Sequence, residues 1–112
     1  MFDQLKNLGN LGDLMKKAQE MQDQVRKLQE ELAAKHVTAE AGGGMVQATV
    51  NGRMELVKLR IDKGKIDVND TEMLEDVIVA AVHAAQARAA DVIREEMQRK
   101  AGEFGLPPGV LP

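Results

Sequence analysis

Residues 45–61 read MVQATVNGRMELVKLRI, and the fold follows from the interpretation of this run. Val46, Ala48 and Val50 alternate with Met45, Gln47 and Thr49, and after Asn51-Gly52 the apolar pattern resumes at Met54 and Leu56, then at Val57, Leu59 and Ile61. Period-two alternation with β-branched residues marks a strand. Asn-Gly between two such runs suits a type I′ turn, because both residues tolerate positive φ and the turn's twist matches that of the flanking strands. The stretch is therefore a β-hairpin. Its apolar positions switch from even to odd numbers around Leu56-Val57, which predicts either a β-bulge or a strand covered on both faces. A lone hairpin is marginal in water, so a third strand and a helical cover must come from the flanking sequence.

Immediately upstream, His36–Ala41 reads as a first strand, ended by Gly42-Gly43-Gly44. No Gly-Lys-Ser/Thr follows these glycines, and the next segment is a strand, so they indicate a flexible turn or a close backbone approach rather than a phosphate loop. Further upstream, Leu11, Leu14, Ala18, Met21, Val25, Leu28 and Leu32 are spaced alternately three and four apart, a coiled-coil-like seam with polar residues between. A helix from Asp13, whose carboxylate favours a helix N-terminus, to Lys35 would be about 35 Å long. That exceeds what a small sheet covers, so its N-terminal half is expected to project as an arm. Residues 1–12 are expected to form a flexible N-terminus.

Downstream, residues 62–70 form a polar connection to a second helix. Asn69, Asp70 and Thr71 are N-cap candidates, and Asn69 with Glu72 approximates a capping box. Glu72, Glu75 and Asp76 crowd the start, Arg94, Arg99 and Lys100 load the end, and Gly102 is a candidate stop. Leu74, Ile78, Ala81, Ala85, Ala89 and Val92 trace one stripe of this helix, and Met73, Val77, Ala80, Ala84 and Ala87 another. One stripe would pack on the sheet and the other on a partner chain. Residues 103–112 read as a flexible Pro/Gly tail. The order is α-β-β-β-α: a single α+β domain over residues 1–112, with a three-stranded antiparallel sheet and two long helices.

A chain of 112 residues holds one core, and here that core lacks Trp and Tyr and has only two Phe. With so little aromatic surface to bury, a homodimer is expected. The absence of cysteine excludes disulfide and thiol chemistry. Neither a signal peptide nor a membrane span is recognisable, so the chain reads as cytoplasmic, without a membrane partner. His83 sits in an Ala-rich helix and His36 near a helix end, neither associated in sequence with a nucleophile or a carboxylate pair. With no metal-ligand spacing and no dinucleotide fingerprint, the reading is a non-enzyme with no cofactor, no metal and no small-molecule substrate.

Charge is unevenly distributed. Residues 1–35 carry six basic and six acidic groups, residues 36–66 five and three, and residues 67–112 four and nine, for a net −3. The basic middle comprises Arg53, Lys58, Arg60, Lys63 and Lys65. It is open to two readings, solubilising charge on an exposed strand and loop or a patch facing phosphates.

Four blocks, GDLMKKAQEMQDQVRKLQEELA, VTAEAGGGMVQATVNGR, TEMLEDVIVAAVHAA and LPPG, appear in this order across nearly the whole chain. In these blocks the sequence resembles the YbaB/EbfC family of bacterial nucleoid-associated proteins. The resemblance implies a homodimer with helical arms projecting like tweezers. It implies binding of double-stranded DNA at the nucleoid, with roles in nucleoid organisation, gene regulation and DNA repair. Phosphate contacts need cations on an exposed face. Lys16, Lys17, Arg26 and Lys27 lie off the seam of the first helix, and Arg88, Arg94, Arg99 and Lys100 lie in the second half of the last; these eight are the candidate DNA-binding residues. Neighbouring acids such as Glu20, Asp23, Asp91 and Glu96 compete for the same cations at helical spacing. The alternative function is a non-enzymatic protein-interaction module that uses the heptad helix as a docking surface.

Overall fold

The computed structural model describes the backbone of residues 2–103 and 105 and the side chains of residues 10–103 and 105. The chain runs α1 (Phe2–Ala33), β1 (His36–Ala41), β2 (Val46–Asn51), β3 (Leu56–Ile61) and α2 (Thr71–Glu103), an α+β arrangement in the order α-β-β-β-α. The LPPG segment lies outside the described residues. Contacts divide the chain into two compact units, Met1–Glu31 and Leu32–Pro112.

The first unit consists of α1 up to Glu31. The helix begins at Phe2, so Asp13 lies within it and does not cap it. Along the seam, burial grades steadily: Leu11 and Leu14 are exposed, Met21 and Val25 half-buried, and Leu28 buried.

In the second unit the strands pair antiparallel in the order β1-β2-β3. Val46, Ala48 and Val50 alternate inward from the central strand and are fully buried against Ala81, Ala85 and Ala89 of α2. The alanines recur every fourth residue and so share one helix face, where their short side chains let the helix backbone approach the sheet. Leu74, Val77, Ile78 and Val82 are half-buried around this centre. Burying a valine fully contributes about 1.5–3 kcal/mol, and alanines less, so this core is modest. Of the two stripes, the one through Leu74, Ile78, Ala81, Ala85 and Ala89 faces the sheet, and Val77 of the other also packs against this core. In the other stripe, Met73, Ala80, Ala84 and Ala87 are exposed.

The hairpin differs from the expected two-residue turn. Asn51 N donates to Glu55 O at 3.0 Å, and Met54 N donates to Asn51 O at 3.0 Å, enclosing Gly52, Arg53 and Met54 as a three-residue loop. Met54, with φ of 65°, takes the left-handed position, whereas Gly52 is not at positive φ. A loop of this length needs only one left-handed residue, placed after the first turn. Asn51 Oδ1 holds the loop by accepting from Arg53 N at 2.9 Å and Glu55 N at 3.1 Å. Past the loop, Val50 pairs with Leu56 while Thr49 pairs with Lys58, which leaves Val57 as the extra residue of a β-bulge. That bulge accounts for the switch of apolar positions in the sequence.

The connections show further local adjustments. Gly42, Gly43 and Gly44 all adopt positive φ (65°, 65° and 89°), which explains three consecutive glycines at the β1–β2 turn. Asp70, rather than Asn69, caps α2, its Oδ1 accepting from Met73 N at 3.1 Å. Gly102 remains helical, and the stop is Gly105, with φ of 70° and its N–H donating to Gly102 O at 3.1 Å. Among the described residues, no helix is long and apolar enough to cross a membrane.

Candidate nucleic-acid interface

Recognition of a polyanion requires cations that are exposed and not already neutralised. The eight sequence-predicted residues differ in this respect. Lys16, Lys17, Arg26 and Lys27 occupy α1 of the first unit and are all exposed. Arg26 is held by Asp23 at 2.9 Å, one turn earlier. Lys16, Lys17 and Lys27 make no ion pair among the described residues.

The other four lie on α2 of the second unit, and each is engaged by a partner. Arg94 pairs with Asp91 at 2.7 Å, Arg99 with Glu96, and Lys100 with Glu103 at 3.2 Å. Arg88 donates from Nη1 to the carbonyl of Thr38 at 3.2 Å, tying α2 to the edge strand β1. Exposed pairs at this spacing contribute about 0.3–0.5 kcal/mol, so a phosphate could displace the acids. They nevertheless neutralise the local field. From Asp91 to Glu103 the helix carries three basic and four acidic groups, a net −1.

Glu96 pairs with both Lys35 and Arg99. Lys35 Nζ lies 3.3 Å from its Oε1, and the hydrogen bond from Lys35 is the main reason its carboxyl titrates below the ordinary glutamate value, with the charges of Arg99 and Lys35 acting in the same direction against a desolvation penalty. This cluster joins the segment after α1 to the end of α2, a structural role.

The polar face of the sheet brings together residues that the sequence left undecided. Thr49 pairs with Lys58, and Gln47 with Arg60, on the side opposite Val46, Ala48 and Val50. Beside them the chain turns at Asp62, and an open cleft of about 550 Å³ is bordered by Glu40, Gln47, Arg60, Asp62, Lys63 and Lys65. The signal in sequence was the alternation of Lys58 and Arg60 with apolar neighbours. It could not show that the loop cations join them.

Nothing in these positions resembles a catalytic constellation. His36 and His83 are both exposed, and among the described residues no group of three or more His, Cys, Asp or Glu could hold a metal ion.

The family model described as the YbaB/EbfC DNA-binding family matches residues 7–104, which include the eight candidate cations and the whole sheet. The chain belongs to the YbaB/EbfC family. It is 45% identical over 98 residues to a nucleoid-associated protein of Thermoanaerobacter pseudethanolicus, covering 88% of each chain. To a nucleoid-associated protein of Paramagnetospirillum magneticum it is 46% identical over 100 residues, covering 89% of this chain and 94% of that one. Among solved structures, an uncharacterized protein of Helicobacter pylori matches with a TM-score of 0.60 at 26% identity, over 82% of this chain and 90% of that one. The two nucleoid-associated relatives are matched over 88% and 94% of their lengths, and the Helicobacter pylori structure shares the fold described above. The family is a DNA-binding one and is not a known enzyme family.

Proposed function

We propose that this chain binds double-stranded DNA as a homodimer, through phosphate contacts that are largely independent of base sequence. In the cell it would act in the cytoplasm at the nucleoid, in nucleoid organisation with roles in gene regulation and DNA repair. The observation that carries this reading is the exposed stretch of α1 in which Lys16, Lys17 and Lys27 make no ion pair among the described residues, in a chain of a DNA-binding family. Arg26, Arg88, Arg94, Arg99 and Lys100 complete the proposed contact set as secondary members, since each must first leave a partner in the protein.

Dimerisation is supported by uncovered apolar surface. α2 packs on β1 and β2, while on β3 Leu56, Val57 and Leu59 remain 47%, 45% and 37% exposed. An apolar edge strand invites pairing with another chain, and a second copy is the simplest partner for a chain with so small a core. The arms of this dimer would be the α1 helices. In sedimentation experiments the wild type is expected to run as a dimer and the double variant L56D/L59D as a monomer; a monomeric wild type would refute this part.

DNA binding is tested by fluorescence anisotropy of a labelled duplex, using nuclease-treated protein at several salt concentrations and an unrelated duplex for comparison. The expected result is similar affinity for both duplexes and a linear fall of log K with log salt. Absence of binding at the lowest salt would refute it. A second reading would then lead, in which Leu11, Leu14 and Met15 of α1, 51%, 61% and 65% exposed, dock a partner helix.

A further inference from the structure

We propose that the polar face of the sheet is a second DNA-contact surface, in which Lys58, Arg60, Lys63 and Lys65 bind backbone phosphates of the duplex. The inference rests on the DNA-binding reading above and adds a surface that neither helix supplies.

Placement is the first argument. The cross-strand pairs Thr38–Thr49–Lys58 and Glu40–Gln47–Arg60 put six polar residues on one face of the sheet, and Val46, Ala48 and Val50 face α2 on the other. The β3–α2 connection then brings in the loop cations. Asp62 N donates to Met45 O at 2.8 Å, Lys65 N donates to Asp62 O at 3.0 Å, and Gly64 N donates to Asp62 Oδ1 at 3.0 Å. This tight turn holds Lys63 and Lys65 beside Arg60 at the open cleft.

Charge is the second argument. Among the described residues Lys58, Arg60, Lys63 and Lys65 make no ion pair, and their side chains make one hydrogen bond, from Lys65 Nζ to Gly43 O at 3.5 Å. The acids present are Glu40 and Asp62, so the face carries a net +2 in a chain of net −3. Asp62 is already committed to its own turn. Four like charges on one face repel one another, a cost that a bound polyanion removes. The contrast with α2 is direct, since Arg94, Arg99 and Lys100 there each have an acid one turn away.

The neutral groups fit the same ligand. Thr38 Oγ1 and Thr49 Oγ1 lie 2.7 Å apart, so one hydroxyl hydrogen satisfies the pair and the other is left to donate outward. Gln47, at the cleft, offers an amide, with one N–H directed weakly at Glu40 Oε2 at 3.5 Å. Arginine forks, lysines, hydroxyls and amides are the groups that position a protein on phosphates without reading bases.

Two measurements on the full chain test the proposal. In the first, the quadruple variant K58Q/R60Q/K63Q/K65Q is compared with wild type by duplex anisotropy across salt, with circular dichroism and sedimentation confirming an unchanged fold and oligomeric state. Each lost phosphate contact should lower the salt slope by about 0.9, so the slope should fall by roughly 2–4 and affinity at low salt by at least about tenfold. In the second, lysine acetylation rates are read by mass spectrometry with and without saturating duplex; Lys58, Lys63 and Lys65 should be protected. Wild-type binding with an unchanged slope in the variant, or with these lysines acetylated equally fast on the duplex, overturns the sheet surface and leaves DNA binding standing. A wild type that fails to bind at the lowest salt overturns both.

Discussion

Gly52 sits directly beneath the carbonyl of Leu32, so closely that a Cβ built on it would stand 2.0 Å from that oxygen. The contact is backbone on backbone: Gly52 N also donates to Ala33 O at 3.3 Å. The end of α1, from Leu32 onward, is thus seated on the tip of the β2–β3 loop. Glycine is required here for space, since its φ is not in the left-handed region.

Substituting Gly52 by alanine should therefore cost about 3 kcal/mol, the upper part of the range for steric overpacking, because neither backbone can yield cheaply. Urea unfolding of G52A should show a lower midpoint at unchanged slope. A midpoint within error of wild type would contradict the close approach.

The Lys35–Glu96 pair makes a pH-dependent contribution. Glu96 titrates lower in the folded protein than ordinarily, chiefly because Lys35 hydrogen-bonds its charged form. A lowered folded value means that the contribution is present above the ordinary glutamate range, about 4.3, and is lost as pH falls through the folded value. In K35Q the Glu96 side chain should titrate nearer the ordinary value by NMR, and stability should depend less steeply on pH on the acid side.

The cap of α2 distinguishes Asp70 from its neighbour. D70A should lose about 1 kcal/mol, since Met73 N would lose its acceptor, and the melting temperature should fall by about 4–8 °C. N69A should change stability by less than about 0.5 kcal/mol, as expected of a surface residue. Equal effects would place the cap elsewhere.

Packing of α2 on β2 leaves no room at Ala85, which is fully buried with Ala81 and Ala89. A85L should cost about 1–3 kcal/mol by forcing the helix from the sheet. Thermal unfolding measures this directly, and a stabilised variant would mean an unfilled cavity at that site.

Among the helical cations, pairing should rank the contributions to DNA binding. K16Q/K17Q/K27Q should reduce the salt slope by up to about 0.9 for each residue, whereas R26Q/R94Q/R99Q should reduce it by less than half as much. Anisotropy titrations at matched salt compare the two triple variants, and a reversed order would assign the contacts to the ion-paired arginines.

Much of this chain is legible in its residues, because strand alternation, the Ala stripe and the Gly run are local patterns with local causes. Val46, Ala48 and Val50 announce a buried face by period, and the even-to-odd switch at Leu56-Val57 records the bulge before any partner strand is known. The family resemblance was likewise carried by contiguous blocks. What the linear order could not contain was the outcome of competition between distant groups. Asn-Gly satisfies a type I′ turn on paper, yet the approach of Leu32 and Ala33 claims Gly52 for space, and the left-handed position falls to Met54. Likewise, eight helical cations look equivalent in the linear sequence, but Asp91, Glu96 and Glu103 hold three of them, and the Thr38 carbonyl on β1 holds Arg88. The gathering of Lys58 and Arg60 with Lys63 and Lys65 depends on a turn closed by Asp62 against Met45. Local propensity acts through neighbours in the chain, whereas steric exclusion and charge pairing act through neighbours in space, and only folding decides which residues those are.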